Sequence, residues 1–129
     1  MAVRIVLDTN RYTDMARGDQ AVIDTLETAE TTFLPIMVLA ELRAGFIGGT
    51  RRHENEKKLA SFLAKPPVRV LIPDEATTFH FAAVYQQLRK QGSPIPTHDM
   101  WIAALALQHA LTLYARDKHF DHLPQLMRL

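Results

Sequence analysis

Four acidic side chains stand where core chemistry ordinarily places something neutral. Asp8 closes the apolar run Val3 to Leu7, Glu41 interrupts MVLAEL, Asp99 precedes MWIAALAL, and Asp117 follows TLYAR. Burying charge is costly unless something pairs with it. Two carboxylates about 4 Å apart repel by roughly 4 kcal/mol at an effective dielectric near 20. Four converging acids therefore need several bound protons or a multivalent cation, and a divalent metal is the simplest answer. Oxygen donors without any cysteine select a hard ion such as Mg²⁺ or Mn²⁺.

The four acids lie tens of residues apart, so only a tertiary fold can assemble them. Val3 to Leu7 reads as a short buried strand, with turn-prone Asp8, Thr9 and Asn10 after it. A brief helix to Arg17 follows, and a second carries Val22, Ile23 and Leu26. Thr31 to Leu34 is the next strand. Pro35 then starts a helix through Ile36, Leu39, Leu42 and Phe46, which Gly48 and Gly49 stop. Residues 51 to 64 form a charged helix with Leu59, Phe62 and Leu63 on its buried side, and Val68 to Ile72 forms a third strand. Phe81, Val84, Tyr85 and Leu88 mark the apolar stripe of a helix starting near Asp74. A helix from about His98 to His109 and a strand from Leu111 to Ala115 follow. A last short strand includes Leu126 to Leu129.

Strands that alternate with helices, and that are continuously apolar, predict a parallel sheet covered on both faces: a three-layer α/β/α sandwich. Ligands of such sheets bind beyond the carboxyl ends of strands, where both Asp8 and Asp117 fall. Glu41 has Met37 and Val38 one turn before it and Ala44 and Gly45 one turn after, which predicts a buried stripe of small residues with room for a ligand. Asp99, just after Pro96 and Thr97, falls in a first helical turn, where the macrodipole favours its ionised form. Taken singly, each acid also has an ordinary explanation: turn residue, cap, loop residue, or, for Glu41, a partner of Arg43.

The chain has 129 residues, enough for one domain spanning residues 1–129 with an ordinary core. Hydrophobic residues make up 47% and charged ones 22%, a globular composition. The longest apolar runs, FLPIMVLA and MWIAALAL, fall short of the roughly 18 residues a bilayer span requires. Asp8 interrupts the N-terminal run where a signal peptide would continue, and no cysteine is present, so the expected compartment is the cytoplasm. A net charge of +1 provides no global field for nucleic acid, so any such binding must be local.

The segments VLDTN, VLAELRAG, IPTHDMWIAALALQHALTL and YARDKHF, in this order and spacing, resemble the PIN-domain ribonucleases, and most closely the VapC-like toxins of bacterial toxin–antitoxin pairs. The resemblance covers nearly the whole chain, and the block from Pro96 to Phe120 is its most specific part. It implies a PIN-like fold and a pocket in which Asp8, Glu41, Asp99 and Asp117 hold Mg²⁺ or Mn²⁺. Asp8, Asp99 and Asp117 are then the metal ligands, and Glu41 contacts the ion through water or activates the attacking water. Asn10 matches an asparagine near the pocket, and Thr97 a small polar residue that supports it. His98 departs from a frequent asparagine, and His119 stands where many relatives have another acid. The implied reaction is metal-dependent endonucleolytic hydrolysis of RNA by a homodimer that an antitoxin inhibits.

Arg116, next to Asp117, is the best-placed cation for a phosphate. Arg51, Arg52, Lys57 and Lys58 could track an RNA backbone, but Glu54 and Glu56 among them suit a solvated helix face. His119 and His122 suggest zinc without supplying a third or fourth ligand locally. Trp101, Phe46, Phe79 and Tyr85 read as core or interface residues. Rival functions are a PIN-like RNA-processing nuclease, a DNA nuclease, a non-catalytic nucleic-acid-binding module and, more distantly, a haloacid-dehalogenase-like phosphatase. The last needs a second acid where this chain has Asn10. No GxxxxGK or GxGxxG loop supports a nucleotide switch.

Overall fold

A computed structural model describes residues 2–129. Five strands, β1 (Arg4–Leu7), β2 (Thr31–Pro35), β3 (Val68–Leu71), β4 (Thr112–Tyr114) and β5 (Met127–Arg128), form one sheet in the order β3-β2-β1-β4-β5. Every pairing is parallel. The helices are α1 (Thr9–Ala16), α2 (Gln20–Thr28), α3 (Ile36–Gly48), α4 (Arg52–Leu63), α5 (Glu75–Gln91) and α6 (Thr97–Gln108). The chain steps outward from β1 to β2 and β3, then returns across the sheet to β4. Right-handed crossovers therefore put α1 to α4 on one face and α5 with α6 on the other. The packing agrees: α1 touches α2 and α3, α3 touches α4, and α5 lies along α6. This is the expected α/β/α sandwich.

The local reasons are visible in the residues. Ile5, Val6 and Leu7 of β1 are buried on both faces, which is why the strand is continuously apolar. Asp19 accepts hydrogen bonds from the Ala21 and Val22 amides at the start of α2. Asp74 and Thr77 form a reciprocal capping box at the start of α5, and Gly92, at φ 68°, ends that helix in the left-handed region. Ile102, Ala103, Ala104, Leu105 and Ala106 are all buried, so α6 is enclosed on nearly every side. Tyr12 and Phe62 pack edge to face at 5.4 Å and join α1 to α4.

Two features differ from the sequence expectation. A 3₁₀ turn over Lys118–His122 follows β4, held by Phe120, which is fully buried. On α5, Val84 and Leu88 are buried, but Tyr85 is 46% exposed and Phe79 is 74% exposed. The stripe therefore ends at Val84 and Leu88, with Phe81 stacked at 4.4 Å on Trp101 of α6. Among the described residues, no helix is long and apolar enough to cross a membrane.

Between β1 and β4 the connections leave in opposite directions, which opens a crevice at the carboxyl ends of these strands. Leu7 pairs with Tyr114, and the Asp8 amide donates to the Tyr114 carbonyl at 3.3 Å. The residues following β1 and β4 thus emerge side by side.

Candidate metal centre

Asp8 follows β1 and precedes the first turn of α1, only 5% exposed. Its carboxyl is pushed up from an ordinary 3.8 to about 6, chiefly by burial; the charges of Asp99 and Glu41 add to this, while the Thr9 amide and His98 oppose it. Asp99, third residue of α6, is 8% exposed and likewise raised. Burial and the Asp117 charge raise it, and a hydrogen bond from His119 works against them. Asp117 caps the 3₁₀ turn by accepting from the His119 amide at 2.9 Å. The His119 ring then lies between two carboxylates, with Nδ1 2.8 Å from Asp99 Oδ2 and 3.1 Å from Asp117 Oδ1. That hydrogen bond to Asp99 is the main reason the imidazole is raised above its usual range. An ion pair alone would lower the acid; the burial of Asp99 outweighs it.

Two overlapping sets of donor atoms result. Ring nitrogen and carboxylate oxygens of Asp8, His98 and Asp99 all lie within 4.8 Å of one another, and so do those of Asp99, Asp117 and His119. Asp99 belongs to both. Glu41 is on the rim: its Oε2 is 3.0 Å from His98 Nε2, and its charge reaches Asp8. All four acids thus meet at the crevice between β1 and β4.

Glu41 does not lie on a buried stripe. The inward face of α3 is Val38, Leu39 and Leu42, whereas the Glu41 side chain is 51% exposed and opens toward the crevice. Its neighbours Ala44 and Gly45 are exposed too, so the small residues there clear space at a surface. Arg43 pairs with Glu56 at 2.9 Å, not with Glu41. Asn10 and Thr97 are exposed in the first turns of α1 and α6. Arg116 forms a two-pronged contact with Asp14 at 3.1 and 3.4 Å, and Arg11 shares that aspartate. Its charge is partly spent there. His122 joins neither donor set, and Asp121 pairs with Arg128 at 3.0 Å. The imidazoles that do join the acids are His98 and His119. Their only signal in the sequence is position: each lies within two residues of a predicted ligand.

The donors fit a divalent cation. Among the described residues no lysine or arginine side chain forms an ion pair with Asp8, Glu41, Asp99 or Asp117, so the repulsion among the acids, which adds to the burial that raises Asp8, is offset by no fixed cation. Imidazole nitrogens stand among the carboxylate oxygens, so the atoms within reach of an ion are not oxygens alone. A cleft of about 710 Å³ lies elsewhere between α1, α2 and α4; it is lined by Met15, Ile23, Leu26 and Phe62 and brings no acids together. The crevice is the candidate for chemistry, because its titratable groups converge and those of the cleft do not.

The raised Asp8 predicts how the metal-free protein responds to pH. A carboxyl raised on folding contributes stability that is fully present below its unfolded value of 3.8 and is lost as pH rises through about 6. That gap corresponds to about 3 kcal/mol. In chelator, urea unfolding at pH 4 and pH 8 should show the wild type losing about 2 kcal/mol of this relative to Asp8→Asn, which has no charge to bury, because pH 4 already lies just above the unfolded value. Parallel stability curves for the two proteins would rule out the burial of this charge.

A family model described as "PIN domain" matches residues 5–126. The chain belongs to the PIN-domain family. Plasmid stability protein StbB of Pseudomonas syringae pv. tomato is 33% identical over 124 residues, covering 88% of this chain and 87% of the relative. Toxin FitB of Neisseria gonorrhoeae is 31% identical over 121 residues, with coverage of 88% and 87%. Ribonuclease VapC1 of Haemophilus influenzae is 28% identical over 126 residues, with coverage of 94% and 92%. Among solved structures, the VapBC2 complex of Rickettsia felis bound to promoter DNA superposes at a TM-score of 0.88 and 24% identity, covering 98% of each chain. VapBC-5 of Mycobacterium tuberculosis, a member of the VapBC family of toxin–antitoxin systems, does so at 0.73 and 24%, covering 98% of this chain and 99% of that one. At these identities the two structures establish the fold alone.

Proposed function

We propose that this protein is a Mg²⁺- or Mn²⁺-dependent endoribonuclease and the toxin of a toxin–antitoxin pair. The single observation that carries it is the set of acids gathered without lysine or arginine partners at the switch point of a PIN fold. Names such as Ribonuclease VapC1 and Toxin FitB among the relatives support it. A bound divalent ion would supply positive charge for the scissile phosphate and lower the pKa of a water. Asp8, Asp99 and Asp117 hold the ion. Glu41, half-exposed on the rim, hydrogen-bonds the attacking water and accepts its proton as the water oxygen bonds to phosphorus; the P–O bond to the leaving ribose oxygen breaks, and that oxygen takes a proton from solvent. Arg116 orients a phosphate oxygen when it swings from Asp14, and Asn10 and Thr97, exposed at two helix starts, support the incoming backbone.

The presence of all four acids disfavours a module that has lost catalysis. Incubation of the purified protein with a mixed single-stranded RNA pool and the matching DNA pool tests the substrate class. Internal cuts in RNA, with the DNA intact, are expected; cleavage of DNA alone would sink the assignment.

Partners follow from the same likeness and from unspent surface. An antitoxin segment would seat in the apolar groove between α1, α2 and α4, whose rim of Lys57, Lys58 and Lys65 suits an acidic amphipathic partner. It would place an arginine among the acids, since a guanidinium fork pairs with carboxylates bidentately and keeps its proton. Ile72, Phe79 and Tyr85 are large apolar side chains left exposed, and they suit a homodimer contact. Sedimentation at micromolar concentration should show a dimer, and Phe79→Asp should shift it to monomer. A wild-type protein that sediments only as monomer would remove the dimer.

A further inference from the structure

One residue that touches the acids departs from an oxygen-donor pocket. His98 stands beside Asp8 and Asp99, with one ring nitrogen and one oxygen of each carboxylate within 4.8 Å of each other. Its Nε2 is closed to solvent and makes no hydrogen bond. Glu41 Oε2 is 3.0 Å away, but the contact lies outside hydrogen-bond geometry, so proximity there is not a satisfied pair. A buried ring nitrogen left without a partner is costly, and such atoms call for an explanation. Among three carboxylates, a cation that both nitrogen and oxygen can ligate supplies one. His119 differs, because its Nδ1 is already taken by Asp99 and Asp117.

We propose that His98 is a direct nitrogen ligand of the ion held by Asp8 and Asp99, and that it makes this site prefer Mn²⁺ over Mg²⁺. The proposal rests on the pocket being a metal centre, as argued above. Mg²⁺ demands a near-ideal octahedron of oxygens and gives up its waters reluctantly. Imidazole suits transition ions, and Mn²⁺, although it stands lowest in the first-row affinity series and mostly takes oxygen donors, is the one of the two ions that belongs to that series and can also take a nitrogen. A nitrogen at the centre of the donor set therefore helps Mn²⁺ and contributes little to Mg²⁺. His98→Asn removes the donor at the Nε2 position and keeps a small polar side chain, so it isolates the nitrogen.

The experiment uses the full chain stripped of metal, with no RNA present. Mn²⁺ binding is followed by loss of the free-ion electron paramagnetic resonance signal, and Mg²⁺ is measured by competition. Echo modulation from ¹⁴N reports a nitrogen bonded to Mn²⁺. The wild type should bind Mn²⁺ about tenfold or more tightly than Mg²⁺ and show ¹⁴N modulation. His98→Asn should lose that modulation and weaken Mn²⁺ roughly tenfold, with Mg²⁺ changed by less than about threefold. His119→Asn should keep the modulation. Absence of ¹⁴N modulation in the wild-type Mn²⁺ complex, loss of it only in His119→Asn, or equal weakening of both ions by His98→Asn would each overturn the proposal while leaving a metal centre in place. Failure of either ion to bind the wild type would overturn it together with the metal mechanism.

Discussion

Asp99→Asn should lower RNA cleavage by more than about 100-fold and leave the fold intact. Changes one shell outside a metal commonly cost 10- to 100-fold in affinity or activity, so losing the ligand itself sets that range as a floor. Asp99 is the acid with the most to lose, because it alone belongs to both donor sets. The amide keeps the carboxylate's shape, and the residue lies 8% exposed on a fully packed α6, so the substitution disturbs no neighbour's volume. Removing the charge also relieves the repulsion from Asp117. Metal-free Asp99→Asn should therefore melt no lower than the metal-free wild type, less whatever the His119 hydrogen bond contributes. The two readouts separate chemistry from folding. A folded Asp99→Asn protein cleaving at the wild-type rate would remove this residue from the site.

The sheet was legible because its central strands lie under helices on both faces: RIVL and TTFLP carry no polar alternation, and that alone argues for parallel pairing under two helical layers. Strand order was not legible. It depends on which way each crossover turns, and nothing local in a helix says so. Asp8 and Asp117 could be placed together from sequence because both close strands, and parallel strands deliver their ends to one edge. Glu41 could not be oriented. Its helix, IMVLAELRAGFIG, is apolar all round, so periodicity does not choose a face, and only packing shows Val38, Leu39 and Leu42 turning inward. His119 reaches Asp99 because a 3₁₀ turn capped by Asp117 folds the chain back, and so short a turn leaves no periodic pattern. The pairing of Arg116 with Asp14 joins positions 102 residues apart, beyond any local rule.

Exhaustive chelation should abolish cleavage, and restoration with single ions should rank them by how well each suits the donors. Mn²⁺ and Mg²⁺ should restore activity. Ca²⁺ should bind without supporting turnover, because its larger and looser coordination shell holds a phosphate less tightly for attack. Binding also stabilises the fold, since the acids converge only in the native state: Asp8 and Asp117 leave separate strands, and Asp99 comes from α6. At an ion concentration about 100 times the dissociation constant, linkage contributes about 2.7 kcal/mol, or roughly 10 °C in melting temperature for a chain of this size. The pH enters with a definite sign. The carboxyl of Asp8, raised to about 6, must lose its proton before it can ligate, so the metal-induced shift should be small at pH 5 and grow toward pH 8. Cleavage of a mixed RNA pool and melting curves, each after chelation and after addition of Mg²⁺, Mn²⁺, Ca²⁺ or Zn²⁺, measure both effects. Full activity in chelator would refute the metal mechanism outright. Rescue by Zn²⁺ alone would give the working ion to the imidazoles His98 and His119, with the carboxylates in support.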